Sequence, residues 1–181
     1  GAALLGKEFA RFLSSPNYML NCGLGVLLLP ISGIVLLIKG RDLMPMLAMA
    51  FDNQPGSAAV LLCTAVCVVA SMNDMAAPSI SLEGKNLWLL QSLPVKPWQA
   101  LRAKLSVQLL LTSIPALFAS ACAAIAGGLS AIETLLTLLV PQAIILMMAL
   151  LNLTVGLKMP NLTWTSEIVP IKQSASVMIG L

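Results

Sequence analysis

Cys63 and Cys67 lie four residues apart, so on a helix both thiols share one face and could serve a soft metal or a redox pair. No histidine occurs anywhere in the chain and no third ligand lies near them. The expected role of all four cysteines (Cys22, Cys63, Cys67 and Cys122) is therefore that of small buried hydrophobes. Glu133 is the next candidate, a lone carboxylate between two long apolar runs, where an acid by default marks a transport site. Its neighbours supply a plainer role. Ser130-Ala131-Ile132-Glu133 has the spacing of a capping box, in which serine caps the helix and glutamate reaches back to the cap's own N–H. The positive end of the helix dipole favours the same placement. Asn152 and Thr154 read as hydrogen-bond partners between helices rather than as a catalytic pair. An intramembrane enzyme would need His, Asp, Glu or a Ser/Lys pair at depth, so no enzyme activity, metal or bound cofactor is expected of this chain.

The elements that carry these residues follow from charge spacing. Between Arg11 and Lys39, Asp52 and Asp74, Lys104 and Glu133, and Glu133 and Lys158 run 27, 21, 28 and 24 residues without a charged side chain. A helix rising about 1.5 Å per residue needs roughly 20 mostly apolar residues to cross a bilayer core. Charged residues make up only 9% of the chain and hydrophobic ones 59%, too few charges to cover a water-soluble surface. The spacing predicts an all-α polytopic transmembrane bundle within a single transmembrane domain. Its spans run from about Tyr18 to Ile38, Pro55 to Asn73, Leu105 to Ala126 and Ala131 to Leu157, and a fifth starts near Ser174. Pro30 and Gly33 predict a kink in the first. Asp52, Asn53 and Gln54 can cap the second, with Pro55 at its first position. The chain opens on Gly1 and ends inside an apolar run, so it reads as a piece of a longer protein.

Basic residues give the orientation. With the N-terminus inside, Lys7, Arg11, Lys85, Lys96, Arg102, Lys104, Lys158 and Lys172 fall on the cytoplasmic side, and only Lys39 and Arg41 fall outside. Trp88, Trp98 and Trp164 fall on the inner side too, where indoles suit the headgroup boundary. The net charge of +3 is dispersed, which excludes a nucleic-acid partner. On the third span Ala116, Ser120, Ala124 and Gly128 recur every fourth residue beside Ala119, Ala123 and Gly127, a stripe that lets a neighbouring helix approach closely.

The segment from residue 74 to 104 is too polar to span and too apolar for a solvated linker. Asn86 can cap a short helix over Leu87 to Leu93, which Pro94 terminates. Pro97 suits the first turn of a second helix that carries Arg102 and Lys104 into the third span. Such an element lies at the membrane boundary or against another protein.

Ser81 to Val95 (SLEGKNLWLLQSLPV) resembles the inner loop of bacterial ABC-2-type permeases, the membrane subunits of ABC exporters. Lys7 to Gly25 (KEFARFLSSPNYMLNCGLG) and Asn161 to Val177 (NLTWTSEIVPIKQSASV) are similar to that family as well. The resemblance implies a multi-pass protein of the bacterial cell membrane. It would form the path for an exported substrate with a second permease half or a second copy of itself. It also implies that a separate ABC ATPase subunit, which itself binds and hydrolyses the ATP, docks on the inner loop. The coupling surface so implied comprises Glu83, Gly84, Lys85, Asn86, Leu87, Trp88, Leu90, Leu93 and Pro94, with the apolar residues as anchors and Glu83 and Lys85 as polar rim contacts. The chain itself has no Gly-x-x-x-x-Gly-Lys-Ser/Thr phosphate loop. Two alternatives stay open: a secondary transporter, against which stands the lack of a charge at the centre of any span, and a membrane scaffold with no transport role.

Overall fold

In the computed structural model, which describes residues 2–51, 54, 56–84, 92, 96–160 and 171, the fold is all-α, with no strand among the described residues. Among the described residues seven helices occur in chain order: α1 (Ala2–Ser14), α2 (Pro16–Cys22), α3 (Leu24–Ala50), α4 (Ser57–Ser71), α5 (Ala76–Ser81), α6 (Pro97–Gly127) and α7 (Ala131–Lys158). Four stretches among the described residues are long and apolar enough to cross a membrane: Leu24–Leu47, Ser57–Ser81, Pro97–Gly127 and Ala131–Lys158.

The fourth coincides with its expected span to within one residue, and the limits of the other three differ from those expected. The first long helix starts at Leu24, not Tyr18, because Ser15 and Pro16 open a separate short helix that ends at Gly23. The Ser15 hydroxyl accepts from the Tyr18 N–H, and Pro16 occupies the first turn, where no donor is missed. Pro30 and Pro45 are both accommodated within α3, which continues to Ala50. The second span reaches beyond Asn73 to Ser81, so the inner loop begins later than residue 74. Pro97 does open the helix that carries Arg102 and Lys104 into the third span. The fifth span lies outside the described residues, as do Asp52, Asn53 and Pro55 of the expected cap.

The described chain separates into two compact units. The first comprises Gly1–Leu24, Met72–Leu111 and Leu146–Leu181, and the second Gly25–Ser71 and Thr112–Ile145. The second unit is inverted relative to a water-soluble core. Leu27, Ile31 and Ile38 of α3 and Leu135 and Leu139 of α7 are exposed, while Ala116, Ala119, Ser120 and Ala123 of α6 are fully buried. Where lipid is the solvent, leucine gains nothing by facing inward, and small residues that bring backbones together take the interior.

The small-residue stripe thereby finds its neighbour, α3. A Cβ on Gly33 would lie 3.2 Å from the Ala119 Cα, and one on Gly40 only 2.8 Å from the Ala126 Cβ. Both pairs step by seven residues, two turns of each helix. Gly33→Val is expected to destabilise the protein by about 1–3 kcal/mol through overpacking. Thermal unfolding of the purified chain in detergent checks this, and an unchanged melting curve would refute the close α3–α6 contact.

Candidate functional site

Two polar clusters lie in the first unit, and both use α6. Lys104 and Gln108 are one helical turn apart and so share a face of that helix. Lys104 meets acids brought from either end of the unit. Its Nζ donates to Glu83 Oε1 at 2.9 Å, to Glu8 Oε2 at 3.1 Å and to the Ser79 carbonyl at 3.0 Å. An ammonium has three protons, and each has an acceptor. Glu83 Oε1 is also faced by Lys7 Nζ at 3.4 Å and Arg11 Nη1 at 3.6 Å, both from α1. The Lys104 and Glu83 side chains are only 3% and 5% exposed, whereas Lys7 is 42% exposed and forms the outer edge. Burial alone would raise the Glu83 pKa; the surrounding cations, Lys104 foremost, outweigh it and hold the carboxyl below the usual carboxylate range.

The second cluster surrounds a break in a candidate span. Helix α4 stops at Ser71 and α5 resumes at Ala76, yet the two together make one apolar stretch of 25 residues. Backbone groups freed at membrane depth must be paired within the protein. The Ala76 N–H donates to Gln108 Oε1 at 2.7 Å, and Gln108 Nε2 donates to the Asn73 carbonyl at 3.1 Å. The Tyr18 hydroxyl donates to the Met75 carbonyl at 2.7 Å, and the Ala77 N–H to Asp74 Oδ1 at 3.3 Å. Asn152 of α7 lies beside the Asp74 carboxyl. The close approach of α7 depends on Gly156, where a Cβ would stand 2.7 Å from the Ala77 carbonyl oxygen. Asp74 Oδ2 and both amide atoms of Asn73 are buried with no hydrogen-bond partner among the described residues. The second span continues past Asp74, which therefore lies within it, toward its end rather than at its centre.

Of the expected coupling surface, only Glu83 and Gly84 are described. Lys85, Asn86, Leu87, Trp88, Leu90, Leu93 and Pro94 lie outside the described residues. Glu83 is not a solvated rim contact. It is buried, because three cations converge on one of its oxygens. Asn152 is buried beside Asp74, as an interhelical partner should be, whereas Thr154 is exposed and bonds back to the Leu151 carbonyl at 2.7 Å. The capping box forms as read: the Ser130 N–H donates to Glu133 Oε2 at 2.9 Å and the Glu133 N–H to Ser130 Oγ at 3.4 Å.

Sequence reasoning missed Glu8, Lys104, Gln108, Tyr18 and the Asn73–Asp74 pair as members of clusters. Polar residues spaced four apart at the edge of an apolar run (Lys104 and Gln108) were the available signal. Their partners lie elsewhere in the chain, however: Glu8 is 96 residues from Lys104.

Four long apolar helices with lipid-type outer faces and buried polar clusters define a multi-pass helical membrane protein. Comparison of the chain with protein-family models, with curated proteins and with solved structures finds no match.

Proposed function

We propose that this chain is the permease subunit of an ABC-type exporter in a bacterial cell membrane, working with a separate ATPase subunit. The observation that carries the reading is the anchorage of the inner loop. The stretch Ser81 to Val95 resembles the coupling loop of ABC-2-type permeases, and its first turn is locked by Glu83 to Lys104 of α6 and to Lys7 and Arg11 of α1. A subunit pressing on that loop would act on a rigid mount, so its movement would pass to α6 and α5 rather than being lost in a hinge. The contacts of Lys7 and Arg11 with Glu83 support one side of the membrane for the N-terminal helix and the start of the loop. The excess of Lys and Arg there supports a cytoplasmic N-terminus.

Leu87, Trp88, Leu90 and Leu93 supply the apolar anchors of the docking surface. Trp88→Ala is expected to cost about 2 kcal/mol of docking energy, a roughly thirtyfold weaker complex. The check is co-purification of the ABC ATPase subunit with the variant, normalised to membrane abundance. Unchanged co-purification with reduced abundance would instead make Trp88 a headgroup anchor and overturn the docking role.

The discontinuous second span favours a second reading, a secondary transporter, since broken helices with a buried carboxylate commonly build such sites. Proteoliposomes separate the two. Substrate movement that needs the ATPase and ATP supports the exporter, and movement driven by an ion gradient alone supports the alternative.

A further inference from the structure

In the second unit, helices α4 and α7 run side by side and leave a cavity of about 450 Å³ between them. The space exists because Gly56, just before α4, and Ala59 and Cys63 of α4 are small where α7 contributes Leu136 and Val140. These positions recur every three or four residues, so the cavity follows the helices for about two turns. Its wall is mostly apolar: the hydroxyl of Thr64 is already committed to the Val60 carbonyl at 2.8 Å, and Thr137 of α7 adds a second hydroxyl. The volume falls within the range of about 300–1,000 Å³ usual for small-molecule sites, which pair an apolar wall with a few placed polar groups.

The placed polar group here is Glu133. Its Oε2 is held by the Ser130 N–H, while its Oε1 turns to the cavity, 3.6 Å from where a Cβ on Gly56 would sit. Among the described residues Oε1 has no hydrogen-bond donor. Gly56 has φ +81°, a left-handed conformation that favours glycine, so the mouth beside Glu133 is kept open by backbone geometry as well as by size. Both helices begin at this end. The carboxylate therefore stands at the end of a span, and the apolar channel leads from it toward the bilayer interior.

We propose that this groove binds a single-chain cationic amphiphile, with its ammonium group on Glu133 Oε1 and its alkyl chain laid between α4 and α7. A carboxylate at the boundary and an apolar channel leading inward match both ends of such a molecule and its orientation in a membrane. An anionic or uncharged amphiphile would match only the channel. The assignment stands on the groove itself and does not depend on the exporter reading.

Cys63 is a built-in reporter, because it lines the groove, whereas Cys67 one turn along the same helix does not. The whole chain is reconstituted in phosphatidylcholine nanodiscs and alkylated with N-ethylmaleimide in the presence of dodecylammonium, with dodecanol as the uncharged control. Peptide mapping follows each cysteine, and native mass spectrometry counts retained dodecylammonium independently of thiol reactivity. Dodecylammonium is expected to be retained and to protect Cys63 but not Cys67. Glu133→Gln is expected to raise the half-protecting concentration at least about tenfold, since a hydrogen bond to a charged group is lost. Glutamine still completes a capping box, so the helix start survives. Val140→Phe, which fills the channel, should abolish protection by any chain. Equal protection by dodecanol, unmoved by Glu133→Gln, would mean a cavity filled by lipid chains and would overturn the proposal. So would Cys63–Cys63 cross-linking between two copies, which would make the groove a contact of the chain with itself.

Discussion

Replacing Lys104 with methionine is expected to cost roughly 3–5 kcal/mol of stability, the usual penalty for removing one partner from a buried ion cluster. The cost arises from what is left behind. Without the ammonium, Glu8 and Glu83 face each other in a site nearly closed to water, and only Lys7 and Arg11 at the edge still oppose Glu83. Converting both acids to glutamine in the same background should recover most of the loss, because a cluster replaced as a whole is often close to neutral. The pH dependence separates this mechanism from simple loss of packing. In the native protein the Glu83 pKa is depressed, so its stabilising contribution is complete above the unfolded value of about 4.3 and is lost only as the pH falls further, through the lower folded value. With Lys104 gone, burial becomes the leading influence and the carboxyl is pushed up. The deficit of the variant should then shrink on mild acidification, as protonation removes the stranded charge. Unfolding curves in detergent at several pH values measure both effects. A deficit constant with pH would remove charge burial as its cause.

Gln108→Leu is expected to have the next largest effect. Its amide serves both ends of the break in the second span, accepting from the Ala76 N–H and donating to the Asn73 carbonyl. Leucine fills similar space and satisfies neither. Each buried backbone group left unpaired costs about 1–3 kcal/mol, so a total of roughly 2–6 kcal/mol follows for the two. The loss should be local before it is global. Amide hydrogen exchange at Asn73 to Ala77 should rise well above that of α4, while exchange in the middle of α6 stays slow. Gln108→Glu provides the contrast: it keeps the acceptor for the Ala76 N–H and, when protonated, can also donate to the Asn73 carbonyl. Its deficit should therefore shrink as the pH falls, whereas that of Gln108→Leu should not. Equal exchange in Gln108→Leu and the native chain would mean that the break does not depend on this side chain.

The apolar runs and their charged borders were enough to place four membrane helices. Residue content alone determines whether a 20-residue segment prefers lipid to water, so no partner segment is needed to read it. The Ser130–Glu133 capping box was legible for the same reason, since donor and acceptor lie three residues apart and close on themselves. Position along the chain was less legible. Gly23 separates α2 from α3, and the second span, interrupted after Ser71, resumes at Ala76, because the peptide groups freed at that break are paired by Gln108 and Tyr18. Nothing near residue 73 announces those partners. Glu83 taught the same lesson: by local sequence it is a charged residue in a polar loop, and only the convergence of Lys7, Arg11 and Lys104 on it makes it a buried anchor. The stripe of alanines predicted a close neighbour, but which helix fills it rests on glycines 33 and 40, about 86 residues away, whose lack of a side chain matters only once α3 lies against α6. Preference for lipid and helix capping are local and additive, so the sequence determined them. Pairing of buried polar groups and close helix contact join distant residues, and the tertiary structure alone decided them.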